Sequence, residues 1–307
     1  MVKNTNFAFF GTDYFATTVL DELVLLGLKP SLIVTTPDKP QGRKMLLTPS
    51  PVKVWADEKN IEVIQPLSLK PPLASSTAEH TYFSTEKLLC SPRQSAQGSA
   101  VELPAPVPAF DLALVASYGK ILPPALLDIP RLGFINIHPS LIPKYRGATP
   151  LEASILSGDT ETGVTLLQVD EEMDHGLILA QEKITLTDQN YFTLRDETAK
   201  LGAQMFARIL PDFVAGKIRG TEQNHTAATY TKKITKADGE IDLTADPSQN
   251  YRKIKAFSDW PGTYFFTEHN GQPTRILIKK AHLENNQLII DRVLPEGKKE
   301  MDGKFFK

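Results

Sequence analysis

Phe7-Ala8-Phe9-Phe10-Gly11-Thr12-Asp13-Tyr14 is the stretch on which the fold turns. Four apolar residues closed by a glycine read as a buried strand. Thr12 or Asp13 then offers a side-chain oxygen to cap a helix over residues 14–26, with Gly27 as its stop. The same punctuation continues downstream. Residues 31–35 read as a second buried strand, 52–59 as a helix, 62–65 as a third short strand, 112–116 as a fourth and 133–138 as a fifth. Short apolar strands alternating with helices predict an α/β fold, a Rossmann-like, doubly wound, mostly parallel sheet. A dinucleotide site would need Gly-x-Gly-x-x-Gly at the first strand-to-helix turn, so that the backbone can approach a pyrophosphate. Residues 10–15 read Phe-Gly-Thr-Asp-Tyr-Phe, with one glycine, and this excludes a nicotinamide enzyme.

The rest of the chain bounds the answer. At 307 residues, 41% hydrophobic and 23% charged, it suits two soluble domains with a sizeable core. Its one cysteine, Cys90, allows no disulfide within the chain and no cysteine-rich zinc site, which fits a reducing compartment. The first residues lack the apolar run of a signal peptide and no later run is long enough to cross a bilayer, so a cytoplasmic protein without membrane partners is expected. The net charge of -2 is uneven: residues 1–208 carry -5 and residues 209–307 carry +3. A mildly basic C-terminal part suits either an anionic partner or an ordinary solvated surface.

In residues 71–109, Pro, Ser and Ala fill 18 of 39 positions, six of each, and the segment reads as an irregular insertion. Residues 193–210 form a helical stretch with Leu194, Ala199, Leu201, Phe206 and Leu210 on its apolar side, and Pro211 begins a linker. The expected division is a catalytic domain over 1–206, a linker over 207–229 and a small antiparallel β domain over 230–307. Three strand-like runs, at 264–266, 276–278 and 288–290, are separated there by Asn270-Gly271 and Asn285-Asn286 turns.

Gly133-Phe134-Ile135-Asn136-Ile137-His138-Pro139-Ser140 carries the chemistry. Successive side chains of a strand alternate faces, so Asn136 and His138 point the same way, and Pro139 ends the ladder. Two polar groups on one face of an apolar strand, at its carboxyl end, lie where open α/β sheets place their ligands. Further on, Asp170, Glu171, Glu172 and Asp174 put four carboxylates within five residues. A metal cluster would need convergent ligands from elsewhere, and only His138 and His175 offer themselves. The alternatives are an ordinary acidic loop or one Asp reaching back to orient the His138 imidazole and favour its charged form.

At these motifs the chain resembles the folate-dependent formyltransferases. Asn136-x-His138-Pro139-Ser140-Leu141-Ile142-Pro143-Lys144-Tyr145-Arg146-Gly147-Ala148-x-Pro150, then Thr162-Gly163-Val164-Thr165 and Met173-Asp174-x-Gly176, are similar to that family's signature. Phe10-Gly11-Thr12, the loop Pro37-Asp38-Lys39-Pro40-x-Gly42-Arg43, Tyr118-Gly119-Lys120-Ile121-Leu122-Pro123 and Trp260-Pro261 resemble the branch that acts on tRNA. The resemblance implies 10-formyltetrahydrofolate as co-substrate, no metal, and the methionine of initiator methionyl-tRNA as acceptor. It implies Asn136, His138 and Asp174 as the catalytic trio. It also implies Tyr118, Gly119, Ile121, Leu122, Ser140, Leu141, Ile142 and Pro143 at the folate. Lys39, Arg43, Lys44, Lys232 and Lys233 are then expected at the tRNA, and the β domain as a shortened relative of an oligonucleotide-binding (OB-like) barrel. A monomer is expected. Two alternatives stay open: a formyltransferase for a small amine, such as an amino sugar or a purine precursor, and a non-catalytic nucleic-acid-binding relative.

Overall fold

The structure, a computed structural model, describes residues 5–42, 44–69, 110–269 and 271–306. The expected 71–109 insertion, with Cys90 inside it, lies outside the described residues. The strands are β1 (Phe7–Gly11), β2 (Leu32–Val34), β3 (Lys39–Gln41), β4 (Leu46–Thr48), β5 (Glu62–Ile64), β6 (Leu112–Ala116), β7 (Phe134–His138), β8 (Glu161–Gln168), β9 (Ile178–Thr185), β10 (Thr263–His269), β11 (Gln272–Glu284), β12 (Gln287–Pro295) and β13 (Met301–Asp302). The helices are α1 (Tyr14–Leu25), α2 (Pro51–Glu58), α3 (Pro124–Leu127), α4 (Pro150–Ser157), α5 (Tyr191–Val214) and α6 (Pro247–Ala256).

One sheet runs in the order β5-β2-β1-β6-β7-β8-β9. Its first five strands are parallel, and β8 turns antiparallel to β7. The expected doubly wound sheet is therefore present, with the change of winding direction between β1 and β6. β1 shows why such a strand reads as a continuous apolar run: all five of its residues are buried. Phe7 and Phe9 face a core that includes Val19, Leu20 and Leu23 of α1 and Phe206 of α5. Ala8 and Phe10 face the other way, toward Leu32, Val115, Tyr118 and Leu126.

Gly11 is required at the end of β1. A Cβ there would stand 2.7 Å from the Cβ of Ala16 and 2.9 Å from the carbonyl oxygen of Ala116. The glycine lets helix and strand close on each other rather than admit a phosphate. Asp13 is the N-cap of α1, its Oδ1 accepting from the Ala16 N–H at 3.2 Å, and its Oδ2 accepts from Ser117 Oγ at 2.5 Å. Thr12 Oγ1 donates to the Tyr118 carbonyl at 2.9 Å. The turns after β1 and β6 are thus tied together across the switch point. Asp13→Ala removes both the cap and the Ser117 bond and is expected to cost about 1–2 kcal/mol in a denaturation experiment. An unchanged midpoint would show that neither bond contributes.

Two expectations need correction. The third helical stretch does not end at residue 210: α5 runs through Pro211 to Val214. Leu210 and Phe213 stay buried in the core, holding the last turn in place past the missing proline N–H. The helix stops at Gly216, left-handed at φ 68°, with Lys217 N–H closing back onto the Asp212 carbonyl. The C-terminal sheet has four strands, not three, in the antiparallel order β10-β11-β12-β13.

Two compact units are distinguished. The first is Met1–His138, Val164–Glu182 and Thr198–Ala227; the second is Pro139–Gly163, Lys183–Glu197 and Ala228–Lys307. In the second, α4 and α6 share a small core of Leu151, Ile155, Leu194, Ala256 and Phe257. Its sheet buries Ile241, Phe265, Ile276, Ile278 and Val293. Arg146 lies at 1% exposure in this unit, with its N–H bonded to the Thr229 carbonyl and its carbonyl accepting from Thr231. A guanidinium N–H donates to Tyr230 Oη at 3.1 Å. Much of the recognisable motif after His138 therefore stitches residues 143–147 to residues 229–231.

Candidate active site

β7 presents Asn136 and His138 on one face, as the two-residue period requires. Ile135 and Ile137 point the other way into the α1–α5 core. Asn136 pairs with Val115 of β6 on one side and Leu167 of β8 on the other. The two polar residues therefore emerge at the carboxyl end of a central strand. His138 is buried at 4% exposure, and Asn136 is half-buried.

Of the four carboxylates after β8, one turns inward. Asp174 Oδ1 accepts from Asn136 Nδ2 at 3.2 Å and stands 3.6 Å from His138 Nδ1. The second contact is longer than a hydrogen bond but within ion-pair range. The amide has a second N–H, which has no protein partner among the described residues. Asp170 shapes the loop instead: it accepts from the Glu172 N–H at 3.0 Å and lies 2.7 Å from His175 Nδ1. Glu171 and Glu172 are exposed. Among the described residues no group of three His, Cys, Asp or Glu is arranged to hold a metal ion.

The loop's geometry rests on two backbone features that sequence reading missed. Asp174 adopts φ 52°, a left-handed conformation that Asp tolerates better than most side chains. Gly176 passes so close to β8 that a Cβ would sit 2.0 Å from the Gln168 carbonyl oxygen. Together these bend residues 170–176 back over the end of β7.

The residues expected at the folate fall into two groups. In the first unit, the turn after β6 carries Tyr118, Gly119, Ile121 and Leu122. Tyr118 is 2% exposed, its ring edge-on to Phe10 at 5.4 Å, and its Oη has no hydrogen-bond partner among the described residues. Burial pushes its phenol well above the ordinary tyrosine range. Ile121 is 87% exposed and Leu122 is buried. Lys120 donates to the Pro66 carbonyl at 2.7 Å, and desolvation together with the nearby Lys39 charge lowers its pKa. In the second unit, Ser140 is buried with Oγ donating to the Lys144 carbonyl at 2.6 Å, Ile142 is buried, and Leu141 and Pro143 are half-buried.

The tRNA candidates are scattered. Lys39 and Lys44 are exposed on the β3–β4 hairpin, beside exposed Met45, Leu46 and Leu47. Arg43 lies outside the described residues. Lys232 and Lys233 are exposed in the second unit.

An amide and an imidazole at the end of a central strand, with a carboxylate folded back onto them, combine hydrogen-bond donors with a base, the kinds of group that acyl transfer to an amine calls for. The family described as formyl transferase matches residues 5–210, and its C-terminal domain matches residues 233–288. The chain belongs to the formyl transferase family. It is 39% identical to the methionyl-tRNA formyltransferase of Chloroflexus aurantiacus, over 88% of this chain and 78% of that one. With the methionyl-tRNA formyltransferase of Listeria monocytogenes it shares 36% identity over 97% and 93% of the two chains. Among solved structures, the methionyl-tRNA formyltransferase of Clostridium thermocellum aligns with a TM-score of 0.55 at 14% identity, covering 97% of this chain and 100% of that one. A 4-N formyltransferase from Francisella tularensis aligns at 0.59 and 21% identity, covering 87% and 95%. These two likenesses show a shared fold.

Proposed function

We propose that the chain transfers the formyl group of 10-formyltetrahydrofolate to the α-amino group of methionine on initiator tRNA, in the cytoplasm, as a monomer. The observation that carries this reading is the convergence of Asn136, His138 and Asp174 at the carboxyl end of β7. The acceptor is chosen by the relatives that match across most of the chain at 36–39% identity, which are methionyl-tRNA formyltransferases. Chemistry is assigned to residues 1–206 and tRNA contact to the β3–β4 hairpin and the OB-like domain at 230–307, joined by 207–229.

The residues fit a folate. A pterin is a flat ring edged with hydrogen-bonding groups, and the Tyr118–Leu122 turn offers aliphatic side chains, backbone groups and the otherwise unbonded Tyr118 hydroxyl. Ser140, Leu141, Ile142 and Pro143, just after His138-Pro139 in the chain, are assigned as folate contacts on the family resemblance of that segment.

10-Formyltetrahydrofolate supplies the formyl carbon when bound. The second N–H of Asn136 and a ring N–H of His138 donate to the formyl oxygen as it gathers negative charge. Asp174, beside both, orients the two donors. The α-amino group has a pKa of about 7.7–8.0, so a fair share is already neutral near pH 7. Its surplus proton passes to Asp174 or to water held there as the new C–N bond forms, and a proton returns to N10 of the folate as the bond from N10 to the formyl carbon breaks and tetrahydrofolate leaves.

The test is direct. The protein is incubated with 10-formyltetrahydrofolate and methionine-charged initiator tRNA, and the amino acid released from the tRNA is analysed. N-formylmethionine supports the assignment. No product despite folate binding would contradict the acceptor and point to a small amine. No product and no folate binding would leave the non-catalytic relative.

Lys44→Ala should weaken tRNA binding and reduce the slope of log affinity against log salt by about 1, as loss of a single phosphate contact does. An unchanged slope would remove Lys44 from the tRNA surface.

A further inference from the structure

The segment joining α5 to the C-terminal part is anchored beside β9, where Ile178 and Thr221 exchange both backbone hydrogen bonds at 2.9 and 2.8 Å. Two residues on, the Gln223 side chain turns inward and is 5% exposed. Its Nε2 donates to two carbonyl oxygens, that of Asp174 at 3.0 Å and that of Gly176 at 2.7 Å. Those carbonyls flank His175, whose ring stacks on His225 with centroids 4.1 Å apart and planes 13° apart. The segment 223–225 therefore grips the carboxylate loop twice, once by the amide and once by the imidazole pair.

We infer that Gln223 is a positioning residue for formyl transfer: it fixes the carbonyls of Asp174 and Gly176, the residues on either side of His175, so that Asp174 keeps its left-handed backbone and aims Oδ1 at Asn136 and His138. The inference rests on the assignment of Asp174 above. A carboxylate on a surface loop would sample many directions, and its placement within hydrogen-bond reach of Asn136 needs an external constraint on a conformation that side chains rarely adopt. Gly176 removes the steric obstacle to that path, and Gln223 supplies the bonds that hold it. An ordinary buried glutamine would add stability only. A positioning glutamine must act on turnover through Asp174.

Methionine matches glutamine in length and has no donor, so Gln223→Met removes both bonds while filling the space. In steady-state formylation of methionyl-tRNA, kcat is expected to fall by about 10–100-fold, with both KM values within about threefold of wild type. The fall should nearly vanish in an Asp174→Asn background, to within about twofold, because two residues that act through one group do not add. Any drop in melting midpoint persists in both backgrounds. A wild-type kcat in Gln223→Met beside a crippled Asp174→Asn overturns the proposal, and so does an equal loss in both backgrounds. A wild-type kcat in Asp174→Asn itself overturns the assignment of Asp174 and the positioning role with it. If Gln223→Met does not fold, Gln223→Asn keeps a donor about one methylene short of both carbonyls; it must lose turnover, and a folded Gln223→Asn with wild-type kcat is equally fatal.

Discussion

Asp174→Asn is expected to fold and bind both substrates as wild type does and to lose about 10²–10⁴-fold in kcat, the range that removing a charged acid–base partner commands. The substitution is close to ideal. Asn is isosteric, and it tolerates the left-handed backbone that residue 174 adopts at φ 52° as well as Asp does. The Gln223 bond goes to the main-chain carbonyl and is untouched. Only the negative charge next to His138 and Asn136 disappears, and with it the proposed acceptor for the proton released by the amine. The measurement is steady-state kinetics beside folate and tRNA binding. A kcat within threefold of wild type would remove Asp174 from the chemistry.

Asn136→Ala should cost about 10²–10³-fold in kcat, near 3–4 kcal/mol, as loss of one oxyanion donor does. The side chain is half-buried at a strand end rather than packed in the core, so the loss should not be one of folding. Folate affinity should change little, because the donor is worth most when charge develops on the formyl oxygen. A raised KM with unchanged kcat would make Asn136 a binding residue and contradict the oxyanion assignment.

Much of the fold was legible because β1, β6 and β7 are buried on both faces, and the sequence cannot avoid writing that as runs such as Phe7-Ala8-Phe9-Phe10. The β3–β4 hairpin was not legible. Lys39, Pro40 and Gln41 are all exposed, so no apolar pattern marks them as a strand. β13 is two residues long and carries no period at all. Helix α5 outran its expected end because buried Leu210 and Phe213 outweigh the break that Pro211 signals.

At the site, the pairing of Asn136 with His138 follows from the strand period alone. The choice of Asp174 among four neighbouring carboxylates does not. Spacing left it open, and the resemblance to a family pointed to it. The structure supplies the physical difference: a left-handed residue and a glycine pressed against the Gln168 carbonyl turn this carboxylate inward, while Glu171 and Glu172 stay in solvent. Gln223 left no signal, since a buried glutamine in a polar connecting segment is written the same way as an exposed one.

The most direct test of the chemistry is a single-turnover experiment with excess enzyme, 10-formyltetrahydrofolate labelled in its formyl group, and methionyl-tRNA. Wild type should place the label on the methionine nitrogen in one phase. Asn136→Ala and Asp174→Asn should do so at least about 100-fold more slowly with both substrates shown to be bound. Label arriving at the wild-type rate in both variants would mean that the transfer is performed somewhere other than at the end of β7.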